Sequence, residues 1–188
     1  EVTALAYEGA AVARQDGRVV SVDGGAPGDR VVAEILRQRK NLAEARVVEV
    51  LRPGPSRVQP PCPVADRCGG CDWQHVAYGA QLEARRQIVR DALERNAKIV
   101  DPDVSPVSPS PATLGYRNRI RLHVDEHRLC YYERRTRRAV VITDCLIAED
   151  RIRAALPSIA ALVRSLATSV REVEIAVDFV SGAPQVAK

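Results

Sequence analysis

Three of the five cysteines lie within ten residues of one another, at Cys62, Cys68 and Cys71, in a stretch rich in proline and glycine. Thiolates repel one another, so three of them this close indicate either a shared metal or a network of disulfides. The sequence does not start with the charged and then apolar pattern of a secretion signal, and the cytosol keeps thiols reduced. We therefore expect a metal rather than disulfides.

The spacing of these cysteines bears on which metal they hold. Structural zinc usually has two pairs of closely spaced ligands, whereas three clustered cysteines with one distant cysteine are common for an iron–sulfur cluster. Gly69 and Gly70 also leave room for the backbone to approach an inorganic core and for N–H groups to point at its sulfide. The sequence favours an iron–sulfur cluster over zinc, and a site without metal is the third alternative.

The fourth ligand has two candidates among the remaining cysteines. Cys145 follows the end of a predicted strand and precedes a predicted helix, where a loop could fold back onto the other three, so we favour it. Cys130 lies in the middle of a predicted strand, which is typical of a small buried side chain. His75 follows Cys71 by four residues, but a loop histidine more often hydrogen-bonds to the backbone.

A basic segment spans residues 116–138, with eight arginines, three acidic residues and a net charge of +5, against +4 for the whole chain. Such a segment on an otherwise neutral body indicates a polyanionic partner, most often nucleic acid, whose phosphates the arginines neutralise. Alternation along the predicted strand places Arg117, Arg119 and Arg121 on one face. A solvated strand face is the alternative.

The first 52 residues contain several short apolar stretches separated by glycine, aspartate and proline. This pattern predicts a small closed β barrel of the OB type, since closure leaves no exposed strand edge. Three basic residues between its last two predicted strands either contact a phosphate backbone or form a solvated loop. They are Arg37, Arg39 and Lys40.

Proline clusters at residues 53–63 and 102–111 predict loops or linkers around the later elements. An apolar stripe opposite charged residues predicts an amphipathic helix over 78–96, packed on the second domain. Further elements are predicted as strands at 118–124, 128–133, 139–143 and 173–180, and as a helix at 149–167 with a kink or break at Pro157. The predicted fold is mainly β: a barrel over residues 1–52, then an α+β domain over 53–188 with an antiparallel sheet.

The composition, with 188 residues, 46% hydrophobic and 28% charged, fits one medium or two small globular domains and excludes a disordered or fibrous chain. No apolar run reaches membrane-spanning length and no secretion signal is present, so we expect a cytoplasmic chain with no membrane partner. We also expect the chain to be a monomer. The sequence contains no methionine, and we expect it to be part of a longer product. It shows no phosphate-binding loop, dinucleotide fingerprint or nucleophile elbow, and thus no self-sufficient catalytic constellation.

Four signatures in order resemble the bacterial RNA uracil-C5 methyltransferases, which form 5-methyluridine. Residues 61–82, with Cys68-Gly69-Gly70-Cys71 and Gln74-His75, resemble the cysteine loop of that family. Residues 116–122 and 144–147 resemble its next two signatures. Residues 9–50, with Asp16-Gly17-Arg18-Val19-Val20, are similar to its TRAM domain, a small RNA-binding barrel. The resemblance spans nearly the whole chain.

The resemblance implies a four-iron, four-sulfur cluster on Cys62, Cys68, Cys71 and Cys145, and places Arg121 close to the target RNA. It implies a reaction in which a cysteine thiolate adds to C6 of an extruded uracil, C5 takes the methyl group of S-adenosylmethionine, and a carboxylate removes the C5 proton. The Rossmann-like domain that holds this cysteine and the cofactor should begin after the final strand. We therefore expect the chain alone to bind RNA without methylating it.

The resemblance also favours ribosomal RNA over transfer RNA as the target. Two other functions remain open at this point. One is a stand-alone RNA-binding adaptor with a structural metal and no enzymatic activity. The other is a redox sensor whose cluster state changes its affinity for nucleic acid.

Overall fold

The computed structural model describes residues 1–167, 169–177 and 184–187, in which ten strands, two α-helices and a short 3₁₀ turn at Tyr7–Gly9 form two compact units. The first unit comprises residues 1–60 and 72–109, and the second comprises residues 61–71 and 110–188. The helices are α1 (Tyr78–Asn96) and α2 (Asp150–Ser165). The strands are β1 (Val2–Leu5), β2 (Ala11–Gln15), β3 (Arg18–Asp23), β4 (Arg30–Gln38), β5 (Leu42–Arg52), β6 (Arg119–Asp125), β7 (Arg128–Tyr132), β8 (Ala139–Val141), β9 (Glu172–Val177) and β10 (Pro184–Ala187).

The first unit contains a five-stranded sheet in the order β1-β2-β3-β5-β4. Neighbouring strands are antiparallel except β3 and β5, which are parallel. Because β4 pairs only with β5, the described residues leave β1 and β4 as separate edges, and the closed barrel predicted from the sequence is not observed. Turns at residues 16–17 and 24–28 separate the strands where glycine, aspartate and proline interrupt the apolar stretches.

Helix α1 has the bounds predicted from its periodicity, but it packs differently from the prediction. Its small residues Ala80 and Ala84, with Ile88, lie against a buried cluster that includes Val2 and Trp73. Val89, part of the predicted apolar stripe, is exposed. The helix therefore belongs to the first unit, so the predicted division after residue 52 does not match the two observed units. Alanines allow the helix to approach the sheet closely. Because their side chains are small, they do not mark this packing face in the sequence.

A buried ion pair closes the loop between β3 and β4. The carboxylate of Asp29 is fully buried and accepts hydrogen bonds from the backbone N–H groups of Ala26 (2.6 Å) and Gly54 (2.8 Å). The guanidinium of Arg57 donates to the same carboxylate at 2.7 Å. Burial raises the pKa of Asp29, but these hydrogen bonds outweigh it and hold the pKa below its ordinary value. The pair thus ties the Gly54–Arg57 segment to the sheet.

The second unit has a five-stranded antiparallel sheet in the order β10-β9-β6-β7-β8. The β6–β7 hairpin turns at Glu126 and His127, both with positive φ, as the sequence predicted for residues 125–127. One sheet face packs against α2 through alternating residues. The predicted last strand, 173–180, is observed as β9 through Val177, and its residues 178–180 lie outside the described part of the chain.

Helix α2 continues through Pro157, where we predicted a kink or break, and ends two residues before its predicted end. A proline inside a helix costs roughly 3 kcal/mol. The helix buries the side chains of Ile152, Leu156, Ile159 and Val163 against the sheet, and each such burial contributes roughly 1.5–3 kcal/mol. Burial therefore outweighs the cost of the proline. Within the described residues, neither helix combines the length and apolarity needed to cross a membrane.

Candidate functional site

The loop that carries the first three cysteines lies in the second unit, against the end of β7. Cys68 forms an antiparallel bridge with Glu133, and the N–H of Gly69 donates to the carbonyl of Tyr132 at 2.9 Å. A Cβ atom on Gly69 would lie 2.7 Å from that carbonyl oxygen, so only glycine fits here without a shift. We call residues 61–71 the cysteine loop. It is held to the sheet by backbone contacts rather than by side chains alone.

The thiols of the cysteine loop and Cys145 lie within electrostatic reach of one another. Burial raises the pKa of the Cys68 thiol, and the neighbouring Cys71, Cys62 and Cys145 raise it further. The N–H of Gly70 lies 3.4 Å from the sulfur of Cys68 and opposes this effect. Ionising one thiol therefore makes ionising the others harder, unless a cation compensates their charge.

Cys145 is buried between β8 and α2, in the same core cluster against which Cys68 and Cys71 pack. Its N–H donates to the carboxylate of Asp144 at 2.8 Å. That carboxylate also accepts two hydrogen bonds from Arg153, at 2.8 and 2.7 Å. Arg153 holds the pKa of Asp144 below its ordinary value. Cys145 is thus fixed in the segment before α2, because the neighbouring Asp144 pairs with Arg153 of the helix.

The hydroxyl of Tyr131 is buried beside these thiols without a hydrogen bond of normal geometry. Burial and the adjacent Cys145 thiol, with a smaller effect of Cys68, raise the pKa of Tyr131. The ring lies close to the loop, since a Cβ on Gly70 would be 3.8 Å from it. A buried donor without an acceptor is destabilising, and a thiolate sulfur at this position would satisfy it.

Cys130 lies on the other face of the sheet from the cysteine loop. It pairs directly with His123 across β6 and β7, and directly opposed residues share a face. Its side chain is fully buried, in agreement with the prediction of a small buried side chain. Of the two candidates for a fourth ligand, Cys145 is the one that the fold places with the cysteine loop.

All five cysteines, each within the described residues, are thiols rather than disulfides. Among the residues that the structure describes, no three His, Cys, Asp or Glu side chains lie close enough to hold a single metal ion. His75 hydrogen-bonds to the backbone carbonyl of Gly25 at 3.0 Å, as we expected of a loop histidine. Trp73 donates to the carbonyl of Gly9 at 2.8 Å in the core of the first unit.

The arginines of β6 lie on the exposed face of the second sheet, opposite α2, and are matched there by glutamates of β9. Arg121 contacts Glu172 at 2.9 Å and Glu174 at 3.0 Å, and Arg119 contacts Glu174 at 3.2 Å. Hydrogen bonding to Glu174 raises the pKa of Arg121. Neither glutamate was predicted from the sequence as a partner of these arginines, although their alternation with Val173 and Ile175 indicates the same exposed face.

The other predicted RNA-binding residues occupy different surroundings. Arg117 precedes β6, where its N–H donates to Ile147 at 2.8 Å, and its side chain is exposed. Arg37 lies within β4 rather than in the predicted loop, because β4 extends to Gln38. Arg39 and Lys40 occupy the turn between β4 and β5, and all three side chains of this group are exposed.

Comparisons with known proteins agree with the resemblance seen in the sequence. The TRAM domain profile matches residues 1–48. An uncharacterized RNA methyltransferase of Bdellovibrio bacteriovorus is 40% identical over 148 residues, covering 79% of this chain and 38% of that protein. One of Gloeobacter violaceus is 35% identical over 175 residues, covering 90% of this chain and 38% of its own length. The chain thus spans about two fifths of these relatives.

The fold is also found in a solved structure, a Pyrococcus abyssi tRNA (uracil-54, C5)-methyltransferase in complex with S-adenosyl-L-homocysteine. The match has a TM-score of 0.70 and 23% identity, and covers 98% of this chain and 44% of the other. At this identity the match shows a shared fold. The TRAM domain and the relatives named RNA methyltransferases show that the chain is similar to part of the RNA methyltransferases.

Proposed function

We propose that these 188 residues are the RNA-binding and cluster-binding portion of an S-adenosylmethionine-dependent RNA uracil-C5 methyltransferase. The observation that carries the proposal is that the thiols of Cys62, Cys71 and Cys145 lie close enough to Cys68 to raise its pKa. This arrangement occurs in a chain whose relatives are named RNA methyltransferases. The protein that contains this chain would form 5-methyluridine. We propose that it is cytoplasmic and that the chain is monomeric.

A four-iron, four-sulfur cluster held by Cys62, Cys68, Cys71 and Cys145 fits the surroundings of these thiols. The donor set is four sulfur atoms, which suits iron–sulfur chemistry. The N–H of Gly70 and the hydroxyl of Tyr131 are two donors that would stabilise thiolates there. When bound, the cluster would cross-link the cysteine loop to Cys145, in the segment between β8 and α2, through its iron–thiolate bonds. We therefore propose that the cluster stabilises the fold of the second unit.

The proposed RNA contacts combine the TRAM domain with the arginines of the second unit. A guanidinium binds phosphates through a fork of N–H donors, and exposed arginines keep that capacity. Arg117, Arg119 and Arg121, with Arg37, Arg39 and Lys40, are the proposed RNA-binding residues. We propose ribosomal RNA as the target in preference to transfer RNA, which rests on the family resemblance alone.

We propose that the chain by itself binds RNA without transferring a methyl group. The reaction needs a thiolate that reaches C6 of the target base. Cys130 is fully buried, and the other four cysteines are assigned to the cluster, so none of the five is available for this step. S-adenosylmethionine is accordingly proposed to bind elsewhere in the longer protein.

The cluster is tested by anaerobic purification followed by assay of iron, acid-labile sulfide and zinc. We expect about four irons and four sulfides per chain in the wild type, and loss of both in Cys145→Ser. The matched control is Cys130→Ser, which should keep the cluster because Cys130 lies on the other face. A wild-type chain that contains zinc without iron or sulfide would contradict the proposal.

RNA binding is tested with a ribosomal RNA hairpin and a transfer RNA transcript over a series of salt concentrations. The affinity should fall steeply as salt rises, and the ribosomal hairpin should bind more tightly. Methylation by the longer protein, followed as tritium release from C5-labelled uridine, separates the enzyme from a stand-alone adaptor. An adaptor would bind RNA with no release.

A further inference from the structure

A second arginine surface lies beside the cysteine loop, on the connection between β7 and β8. We call residues 133–138 the arginine turn, because they contain four arginines and one glutamate. The turn is closed by backbone hydrogen bonds between Glu133 and Arg138 (2.9 Å) and between Thr136 and Glu133 (3.1 Å). The Thr136 hydroxyl accepts from the N–H of Arg138 at 3.1 Å. Its arginines are thus carried by a hydrogen-bonded hairpin turn.

The cysteine loop contributes both support and charge to this turn. Cys68 forms a bridge with Glu133, and the N–H of Gly69 donates to Tyr132. Arg67 of the loop lies 3.4 Å from one carboxylate oxygen of Glu133, and Arg138 lies 3.6 Å from the other. The Glu133 side chain is only 12% exposed, whereas Arg67 and Arg138 are 55% and 75% exposed. The carboxylate therefore lies beneath guanidiniums that remain accessible to solvent.

The balance of charge distinguishes this surface from the β6 face. On the β6 face, Arg119 and Arg121 are matched by Glu172 and Glu174, so the four side chains carry no net charge. The arginine turn and residues 66–67 together contain five arginines and two acidic residues, a net charge of +3. By this count, the turn offers a phosphate more uncompensated positive charge than the four side chains of the β6 face do.

We infer that the arginine turn, together with Arg67 of the cysteine loop, is a binding site for the phosphate backbone of RNA. This inference rests on the proposed function, and it assigns the backbone contact to residues 67 and 133–138 rather than to the β6 face alone. Guanidiniums on a hairpin suit phosphates, which position the RNA without reading its sequence.

The test uses the whole chain and a 5′-labelled RNA hairpin with a uridine-rich loop, titrated at several salt concentrations. The variant Arg135→Gln/Arg137→Gln removes two exposed charges from the turn. Its matched control is Arg164→Gln, an exposed arginine in the last turn of α2. We expect the double variant to bind about tenfold more weakly at low salt, with the slope of log affinity against log salt reduced by about 2. The control should match the wild type in its affinity at low salt and in the slope of log affinity against log salt.

The outcomes separate this inference from the proposal on which it depends. If the wild type shows no salt-dependent binding of the hairpin, the proposed function fails. If the wild type binds and Arg119→Gln/Arg121→Gln weakens binding while the turn variant matches Arg164→Gln, the inference alone is overturned. Thermal unfolding of each variant shows whether it is folded, and the single variant Arg137→Gln should then show about half of the slope change.

Discussion

The backbone of Gly69 lies directly against Tyr132, with its N–H donating to the Tyr132 carbonyl at 2.9 Å. A Cβ atom on Gly69 would lie 2.7 Å from that oxygen and 3.0 Å from the nitrogen of Arg134. Both obstacles are backbone atoms, which cannot rotate away as the end of a flexible side chain can. This close backbone contact fixes the cysteine loop to β7. The adjoining bridge between Cys68 and Glu133 connects the loop to the arginine turn.

Gly69→Ala should therefore detach the cysteine loop from the sheet. We expect destabilisation of about 1–3 kcal/mol, as for overpacking in a tight core, and a reduced yield of iron and sulfide per chain. Chemical unfolding and iron assays measure the two effects. The control is Gly79→Ala, since a Cβ at Gly79 meets nothing within 4 Å. Equal iron content in the two variants would contradict the role assigned to Gly69.

Asp29→Asn should destabilise the first unit in a pH-dependent manner. Breaking a buried ion pair costs about 3–5 kcal/mol, and partial exposure of Arg57 favours the lower end of that range. The pKa of Asp29 is lowered in the folded state, so its contribution is fully present above the unfolded pKa near 4 and is lost as the pH falls through the lower, folded value.

The free energy of unfolding should therefore differ most between wild type and Asp29→Asn at pH 7, and the difference should shrink below about pH 4. Denaturant titrations at several pH values measure it. Asp16→Asn is the matched control, because Asp16 lies in an exposed turn with positive φ that asparagine also adopts. A difference that stays constant down to pH 2 would contradict the assignment of the effect to the Asp29 carboxylate.

Local patterns in the sequence predicted both helices and most of the strands of this fold, but not β10. Helix α1 has its predicted bounds, and the β6–β7 hairpin follows from the alternation on either side of residues 125–127. Local context favoured Cys145 as the fourth ligand, and in the fold Cys145 lies in the core cluster against which Cys68 and Cys71 pack. Its role as a cluster ligand stays a prediction.

Contacts between distant parts of the chain could not be predicted in the same way. Asp29 meets Arg57 and Arg121 meets Glu174 only after the chain has folded, and no periodicity relates the members of either pair. The unit to which α1 belongs depends on Ala80 and Ala84, which carry too little apolar surface to mark a packing face in the sequence. The open sheet likewise depends on which strands β4 pairs with.

Glu174→Gln should strengthen RNA binding, because it removes the carboxylate that both Arg119 and Arg121 contact. Exposed ion pairs contribute little to stability, so the fold should be little affected. We expect about a two- to fivefold gain in affinity at low salt, which high salt abolishes. Glu94→Gln, an exposed change of the same charge on α1, is the control for a general effect of net charge. Equal gains in the two variants would mean that Glu174 does not compete with RNA for the β6 arginines.

Tyr131→Phe should affect the unfolding temperature of the apoprotein and the midpoint potential of the proposed cluster in different ways. Without it, the buried hydroxyl lacks a well-formed hydrogen bond, so its removal should leave the unfolding temperature unchanged or raise it. With it, the hydroxyl would donate to the Cys145 sulfur and stabilise the more negative, reduced cluster, so its removal should lower the midpoint potential. Thermal unfolding of the apoprotein and a redox titration followed by electron paramagnetic resonance measure these effects.

The control is Tyr132→Phe, whose ring stacks on His123 at 4.4 Å, away from the cysteine loop. A normal iron content with the same midpoint potential in both variants would show that Tyr131 does not donate to the cluster.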